Sequence, residues 1–317
     1  MPSGFSMNVA LEQLTEKALG IWSIDSCGVT PSEASVPVLL HKDAYSHFHN
    51  VRVLLVSGFT GRVEDVGLTL NLLDSYIKEY LQSNLLISAV PCVKMDQLSA
   101  GDEFAGDTDT YPPIDKYYDH QTDPESRYLW RWTSFMSPDL IIELVEGPYL
   151  SYEVNEAADY LSDYFDATLI GKDGSFIKEI GSAQPNGLGP IPGMKVTMPL
   201  EHVDQELAKI HGILSNTERI SSSASQRILD TRSSRTPVEV AKLLASRYGH
   251  SLDPVVYTQG VAISGRLRLM SLTDDHTELD EIVNLVDALK DPGKIFDDGT
   301  GTPNLAGLLW GDELSDL

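Results

Sequence analysis

The stretch VRVLLVSGFTGRVEDV, residues 51–66, determines the predicted fold. Its first six residues form a largely apolar, β-branched run, which is typical of a strand covered on both faces. Gly58 and Gly61 interrupt the run, and a helical pattern begins near Val63. A strand, a glycine-rich loop and a helix in this order form the corner at which α/β proteins place ligand sites. We therefore expect residues 57–62, here called the glycine corner, to lie at the functional end of a sheet.

The glycine corner allows two interpretations. A tight strand-to-helix turn would need its glycines for conformational reasons alone, and this interpretation is favoured. Alternatively, backbone N–H groups at the helix start, together with Thr60 and Arg62, would form a cradle for an anionic ligand. The stretch lacks the Gly-Lys-Ser/Thr ending of a phosphate loop, so nucleotide binding is not predicted.

The segments around the corner alternate between strand and helix. Leu70, Leu73 and Ile77 recur at helical spacing, and residues 85–91 form a second buried run, which predicts a right-handed βαβ unit. Further strands are predicted at 37–41, 137–147 and 166–171, and further helices at 125–136 and 154–165. The pattern predicts an α/β domain over residues 1–200, with a mainly parallel or mixed sheet and helices on both faces.

Residues 201–317 show helical patterns only. Thr236, Pro237 and Glu239 have the spacing of a capping box at a helix start, and Gly249 marks a helix end. We expect an all-helical region here, and its ending is interpreted as the start of a truncated α/α domain.

The charge balance limits the classes of partner. The 317 residues include 23 Lys and Arg against 47 Asp and Glu, a formal net charge of −24. Such a surface repels phosphate backbones and anionic lipid heads, so neither nucleic acid nor membrane is an expected partner. The N-terminal segment reads as an amphipathic helix rather than a signal peptide, so a cytoplasmic location is expected. A small-molecule ligand is the expected partner, and the sequence does not determine the oligomeric state.

Three stretches of the predicted α/β domain carry a distinctive pattern: LLVSGFTGRVED (54–65), ISAVPCVKMDQL (87–98) and SPDLIIELVEG (137–147). Together they resemble the zinc carboxypeptidase superfamily, in particular its succinylglutamate desuccinylase/aspartoacylase-like branch. In that branch a strand runs into Gly-x-His-Gly-x-Glu, a later strand ends in an Asn-Pro-Asp-Gly-like turn, and a strand opened by Pro-Asp ends at a second zinc histidine. The resemblance implies a metallocarboxypeptidase or deacylase fold.

The same resemblance implies that the zinc ligands are missing. The first histidine of the family falls on Thr60, the metal glutamate on Val63, and the second histidine on Val145 or Glu146. Catalytic zinc needs three nitrogen, sulfur or carboxylate ligands, which Thr and Val do not supply. We therefore expect no metal cofactor. The alternative is zinc held by a rearranged set, drawn from Glu64, Glu143, Glu146 and His120.

The resemblance also implies roles for residues outside the corner. Arg127 and Arg131 lie where the family holds a substrate carboxylate, and a bidentate guanidinium suits that task. Asp96 lies in the stretch that corresponds to the family's Asn-Pro-Asp-Gly-like turn. Glu179 lies roughly where the family places its general-base glutamate, although without a metal its water would lack the main activator.

Three functions follow as hypotheses. The leading one is a degenerate carboxypeptidase- or deacylase-like protein that binds a small carboxylate- or amide-bearing ligand without metal-dependent turnover. The alternative is an active metal-dependent amidohydrolase, carboxypeptidase or deacylase with the rearranged ligands. A third is a purely structural fusion partner.

Overall fold

The computed structural model describes residues 6–45, 50–81, 83–106, 111–113, 123–182, 188–216, 223–252, 256–287, 308 and 310–317. The chain consists of two compact units, Met1–Asp230 and Thr231–Leu317.

Eight strands and seven α-helices build the first unit up to residue 216, as far as it is described. The strands are β1 (Trp22–Val29), β2 (Ser35–His41), β3 (Val51–Val56), β4 (Leu85–Val90), β5 (Leu140–Glu146), β6 (Ser151–Val154), β7 (Thr168–Leu169) and β8 (Gly193–Met198). The helices are α1 (Met7–Lys17), α2 (Val63–Glu79), α3 (Met95–Ala100), α4 (Pro124–Met136), α5 (Ser162–Phe165), α6 (Phe176–Ser182) and α7 (Val203–Asn216), with short 3₁₀ helices at Glu156–Leu161 and Leu200–His202.

All eight strands form one mixed sheet in the order β1-β2-β4-β3-β5-β8-β6-β7. The central strands β4, β3, β5 and β8 are parallel to one another. Strand β1 pairs antiparallel with β2, β2 with β4, and β6 with β8, whereas β7 runs parallel to β6. The predicted mixed α/β class is confirmed. Strands β1, β6 and β8 were not predicted, because their short runs contain polar residues and β8 follows a Gly/Pro-rich loop.

Strand β3 is buried on both faces, as predicted from its sequence. Val53 and Leu55 belong to the core cluster that includes residues of α1, α2 and α7. Leu54 and Val56 belong to the opposite cluster, which includes residues of α4 and α6. Because successive side chains of a strand point to opposite faces, one apolar run supplies both cores.

The first unit extends beyond residue 200, where the all-helical region was expected to begin. Helix α7 buries Val203, Leu207, Ile210 and Leu214 in the same cluster as the sheet residue Val53. Its apolar stripe therefore covers one face of the sheet, and the compact unit ends at Asp230.

The second unit is helical where it is described. A boundary helix, α8 (Ala224–Ser233), is followed by α9 (Pro237–Ala245), α10 (Val256–Thr273), α11 (Leu279–Asp287) and α12 (Gly311–Ser315). The predicted capping box is confirmed, since Thr236 and Glu239 exchange side-chain-to-backbone hydrogen bonds at the start of α9. Among the described residues, none of the helices combines the length and apolar character needed to cross a bilayer.

A buried charge pair holds the start of β3. The Arg52 Nε atom lies 3.4 Å from Asp139 Oδ2, and both side chains are almost fully buried. The guanidinium also donates to the carbonyls of Ala44, Met136 and Ser137, so all three of its nitrogens have acceptors. Asp139 in turn accepts the backbone N–H groups of Arg52 and Ser223.

Replacement of Arg52 by Met should destabilise the α/β unit strongly. Removing one partner of a buried pair leaves the other charge uncompensated, which costs about 3–5 kcal/mol. Chemical denaturation followed by tryptophan fluorescence would measure the change in unfolding free energy. The matched control is Arg131→Met, which changes an exposed arginine on the same unit. Equal stability of the two variants would contradict this account.

Candidate functional site

The glycine corner is a tight turn packed against the loop after β4. Gly58 and Gly61 have φ values of +67° and +77°, which favour glycine. A Cβ atom at Gly58 would lie 2.9 Å from Cys92 Cα, and one at Gly61 would lie 2.6 Å from Gln97 Cβ. Two backbone hydrogen bonds join the glycine corner to the loop after β4: Val93 N–H donates to Ser57 O, and Lys94 N–H donates to Gly58 O. Both the conformation and the close packing account for the glycines.

Carboxylates surround the side chain of Arg62. Its guanidinium lies 3.2 Å from Glu146, 3.7 Å from Glu103, 3.9 Å from Glu64 and 4.0 Å from Asp65. These contacts join the start of α2 to the end of β5. Because the cation already faces four anions, an anion cradle formed by Arg62 is electrostatically disfavoured.

Asp65 reinforces the same junction. Its carboxylate accepts the backbone N–H of Glu146 at 2.8 Å. Burial raises the pKa of Asp65, and the hydrogen bond from Glu146 and the charge of Arg62 only partly oppose this effect.

The positions that correspond to zinc ligands hold the wrong atoms for a metal. The Thr60 hydroxyl is buried and finds no hydrogen-bond partner among the described residues, while Val63 and Val145 present methyl groups. The neighbouring Glu64 and Glu146 both face Arg62. No group of three His, Cys, Asp or Glu side chains within the described ranges is arranged to hold a metal ion. The described residues at the corner therefore do not fit a catalytic zinc centre.

Charged side chains from three adjacent strands form a row beside the corner. Glu143 of β5 pairs in register with Lys195 of β8, which pairs with Glu153 of β6. The Lys195 Nζ atom lies 3.5 Å from Glu143 Oε1, and the Lys195 side chain is 31% exposed. The row crosses the middle of β5 (Leu140–Glu146) and β8 (Gly193–Met198), on the sheet face that carries Phe176.

The row forms one wall of a cleft of about 170 Å³. Phe59, Ile170 and Phe176 contribute apolar surface, and Lys172 adds a second ammonium group. The rings of Phe59 and Phe176 have centroids 5.6 Å apart. The cleft thus combines charges of both signs with an aromatic surface.

The carboxyl group of Glu143 has a pKa above its ordinary value. Burial raises the pKa of Glu143, and the like charges of Asp65 and Glu153 act in the same direction. The ammonium group of Lys195 opposes the shift without cancelling it.

A buried ionic cluster supports the loop after β4. Lys94 Nζ lies 2.5 Å from Asp123 and 3.4 Å from Glu125, and it packs 4.1 Å from the ring centroid of Phe104. Burial raises the pKa of Glu125, although the charge of Lys94 opposes it. All three charged side chains of the cluster are almost completely buried, so the cluster anchors the segment that packs against the glycine corner.

Asp96 and Arg131, which sequence reasoning selected as ligand contacts, lie in other settings. Asp96 accepts hydrogen bonds from the hydroxyls of Thr30 and Ser32, at 2.7 and 2.5 Å, and so secures the turn between β1 and β2. Burial acts to raise the pKa of Asp96, but these hydrogen bonds outweigh it, and the pKa is lowered. Arg131 is exposed on α4, with its guanidinium 5.8 Å from the ring centroid of Phe135.

Arg127 and Glu179 are also in described segments, whereas His120 lies outside the described residues. Arg127 is buried on α4. Glu179, on α6, accepts the backbone N–H of Gly174 at 2.9 Å. Neither of these two side chains is among the described residues that line the cleft.

Sequence reasoning missed Lys195, Glu153 and Lys172. A usable signal was present for Lys195, because Met194, Val196 and Met198 alternate with Lys195 and Thr197 in the manner of a strand with one apolar face. Glu153 lies between Tyr152 and Val154 in the same pattern. Their meeting with Glu143 depends on strand order, which the pattern does not reveal.

No protein-family model and no curated protein matches the sequence. Among solved structures, a metallo-carboxypeptidase from Burkholderia cenocepacia is 12% identical, and the match covers 72% of this chain and 70% of that one with a TM-score of 0.50. The chain has the metallocarboxypeptidase fold. The resemblance to the zinc carboxypeptidase superfamily is thus confirmed at the level of the fold, while the desuccinylase/aspartoacylase-like branch stays a prediction.

Two further solved structures are similar to this chain at lower TM-scores. A metallo-carboxypeptidase from Pseudomonas aeruginosa is 10% identical, over 72% of this chain and 69% of that one, with a TM-score of 0.45. The murein-tripeptide amidase MpaA from Escherichia coli O157 is 14% identical, over 61% of this chain and 90% of that one, with a TM-score of 0.40.

The raised pKa of Glu143 gives a testable dependence of stability on pH. The folded state retains this proton to a higher pH than the unfolded state, whose carboxyl titrates near 4.5, so stability falls as pH rises from that value to the folded-state pKa. Glu143→Gln should make the fall in melting temperature shallower. Asp65 and Glu125 shift in the same direction, so part of the fall should persist.

The control for this experiment is Glu156→Gln, an exposed position on the same unit. We expect the control to retain the wild-type slope. An unchanged slope in Glu143→Gln would show that the buried carboxyl does not titrate in this range.

Proposed function

We propose that the α/β unit binds a small organic ligand with a carboxylate or amide group in the cleft, without metal-dependent turnover. The principal support is Lys195, whose partly exposed ammonium group lies between two glutamates on the wall of the cleft. A charge-assisted hydrogen bond from this ammonium to a ligand carboxylate would be stronger than one between neutral groups.

Arg62 supports the second half of the proposal. In the resembled family, zinc ligands come from the corner after one strand and from the end of another. Here a guanidinium joins the corresponding elements, the start of α2 and the end of β5, through Glu146 and Asp65. We propose that this organic cation stabilises the corner in place of a metal ion.

The alternative is an active metal-dependent amidohydrolase, carboxypeptidase or deacylase. Its support is the metallocarboxypeptidase fold, and its ligands would be Glu64, Glu146 and His120. Against it, a metal at Glu64 and Glu146 would have to displace the cation of Arg62 from both carboxylates.

Ligand and metal measurements on the purified protein distinguish the two. We expect carboxylate-bearing ligands from an acyl-amino-acid panel to raise the melting temperature, and Lys195→Met to abolish this rise because the ammonium is lost. Treatment with a chelator should leave both the melting temperature and the ligand-induced rise unchanged. Lys42→Met, which alters an exposed lysine, is the matched control.

Two results would contradict the proposal. One is stoichiometric zinc whose loss in Glu64→Ala and Glu146→Ala accompanies loss of amidase activity. The other is the absence of any ligand-dependent rise, which would favour the structural fusion partner.

The role of Arg62 has its own test. Arg62→Met should lower the unfolding free energy by about 1–2 kcal/mol, since several partly exposed contacts of modest strength are lost together. Arg62→Lys should restore part of the loss because it retains the charge. Rescue of Arg62→Met by added zinc would overturn the view that the corner is closed by an organic cation.

A further inference from the structure

We infer that the cleft accepts a single α-amino acid in its zwitterionic form, with an apolar side chain and with both its ammonium and its carboxylate free. The inference rests on the proposed function and specifies its ligand. The carboxylate would pair with Lys195 and Lys172, the ammonium with Glu153, and the side chain would contact Phe59, Ile170 and Phe176.

The charges of the cleft balance. Two lysines, Lys172 and Lys195, face two glutamates, Glu143 and Glu153, so the ionised side chains that line it sum to zero. A simple anion would satisfy the lysines and add repulsion at the glutamates, and a simple cation would do the reverse. A ligand with both charges is complementary to the whole lining, and electrostatic complementarity determines specificity.

The order of charges along the row places a cation next to an accessible anion, at a spacing that suits the two charged groups of an α-amino acid. Lys195 lies in register between Glu143 and Glu153, and neighbouring strands are about 4.8 Å apart. Glu143 is almost fully buried and has Lys195 at 3.5 Å, so its charge already has a partner. Glu153 is more exposed than Glu143 and lies beside Lys195. Its carboxylate can therefore accept a hydrogen bond from the ligand's ammonium group, while the ligand's carboxylate, on the same α-carbon, pairs with Lys195.

The apolar surface and the volume select for a single residue. Phe59 and Phe176 pack their rings together, and Ile170 lies beside them on the cleft. At about 170 Å³ the cleft is smaller than the roughly 300–1,000 Å³ typical of pockets for drug-sized ligands, which favours a small ligand. A chain of several residues would extend into solvent.

Calorimetric titration of the full chain with matched probes tests the inference. The probes are the apolar L-amino acids, represented by L-leucine, and three analogues of leucine: 4-methylpentanoate without the ammonium, N-acetyl-L-leucine with a blocked ammonium, and isoamylamine without the carboxylate. We expect at least one apolar amino acid to bind. Its analogues that lack either charge should bind at least about tenfold more weakly, a loss of one charged contact.

Two variants assign the charges to residues. Glu153→Gln should reduce the affinity for the amino acid to that of the analogue without the ammonium, while affinity for that analogue is unchanged. Lys195→Met should reduce the advantage of the amino acid over the amine, because Lys172 alone then pairs with the carboxylate. Glu156→Gln and Lys42→Met, at exposed positions outside the cleft, should bind as the wild type does.

The outcomes separate this inference from the proposed function. If 4-methylpentanoate and N-acetyl-L-leucine bind as tightly as L-leucine, in a manner that depends on Lys195, the zwitterion inference is wrong and the carboxylate site stands. If Glu153→Gln leaves the preference for the free amino acid intact, the inference is likewise overturned. If neither the amino acids nor any analogue binds, both fail.

Discussion

Burial of β3 on both faces is the constraint on which the rest of the structure depends. A strand that supplies Val53 and Leu55 to one core and Leu54 and Val56 to the other must be central in the sheet and covered by helices on both sides. This position forces the charged side chain of Arg52 into the interior, where Asp139 and three carbonyl groups accept its hydrogen bonds. It also brings the glycine corner to the edge where the parallel strands end.

The proposed role of Arg62 implies that one fold can close the same junction by different chemistry. In a zinc carboxypeptidase, a metal ion would draw the strand-to-helix turn and a neighbouring strand end together. Here the hydroxyl of Thr60 and the methyl groups of Val63 and Val145 provide no such centre, and Arg62 with its ring of carboxylates lies across the junction instead. A guanidinium has several donors in one plane, which allows it to contact carboxylates from different elements at once.

The proposed cleft also fits the charge of the whole chain. Acidic residues outnumber basic ones by 47 to 23, yet the cleft has as many lysines as glutamates. A locally neutral, two-signed surface within an acidic protein would admit a zwitterion with little long-range repulsion, whereas a free anion would meet the field of the excess carboxylates.

The sequence by itself determined the local features: the double-faced run of β3, the glycine turn, the helical stripe of α2 and the capping box at Thr236 and Glu239. Each of these depends on residues a few positions apart, so its pattern is readable along the chain. The tertiary structure decided which charges meet. Arg62 and Glu146 are 84 residues apart, and Glu143, Lys195 and Glu153 come together only because β8 inserts between β5 and β6. Strand β8 was not predicted, because it follows a Gly/Pro-rich loop. Helix α7 was assigned to the all-helical region, whereas in the structure its apolar face packs against the sheet. Pairing across such separations depends on the free energy of the whole core, which no local pattern encodes.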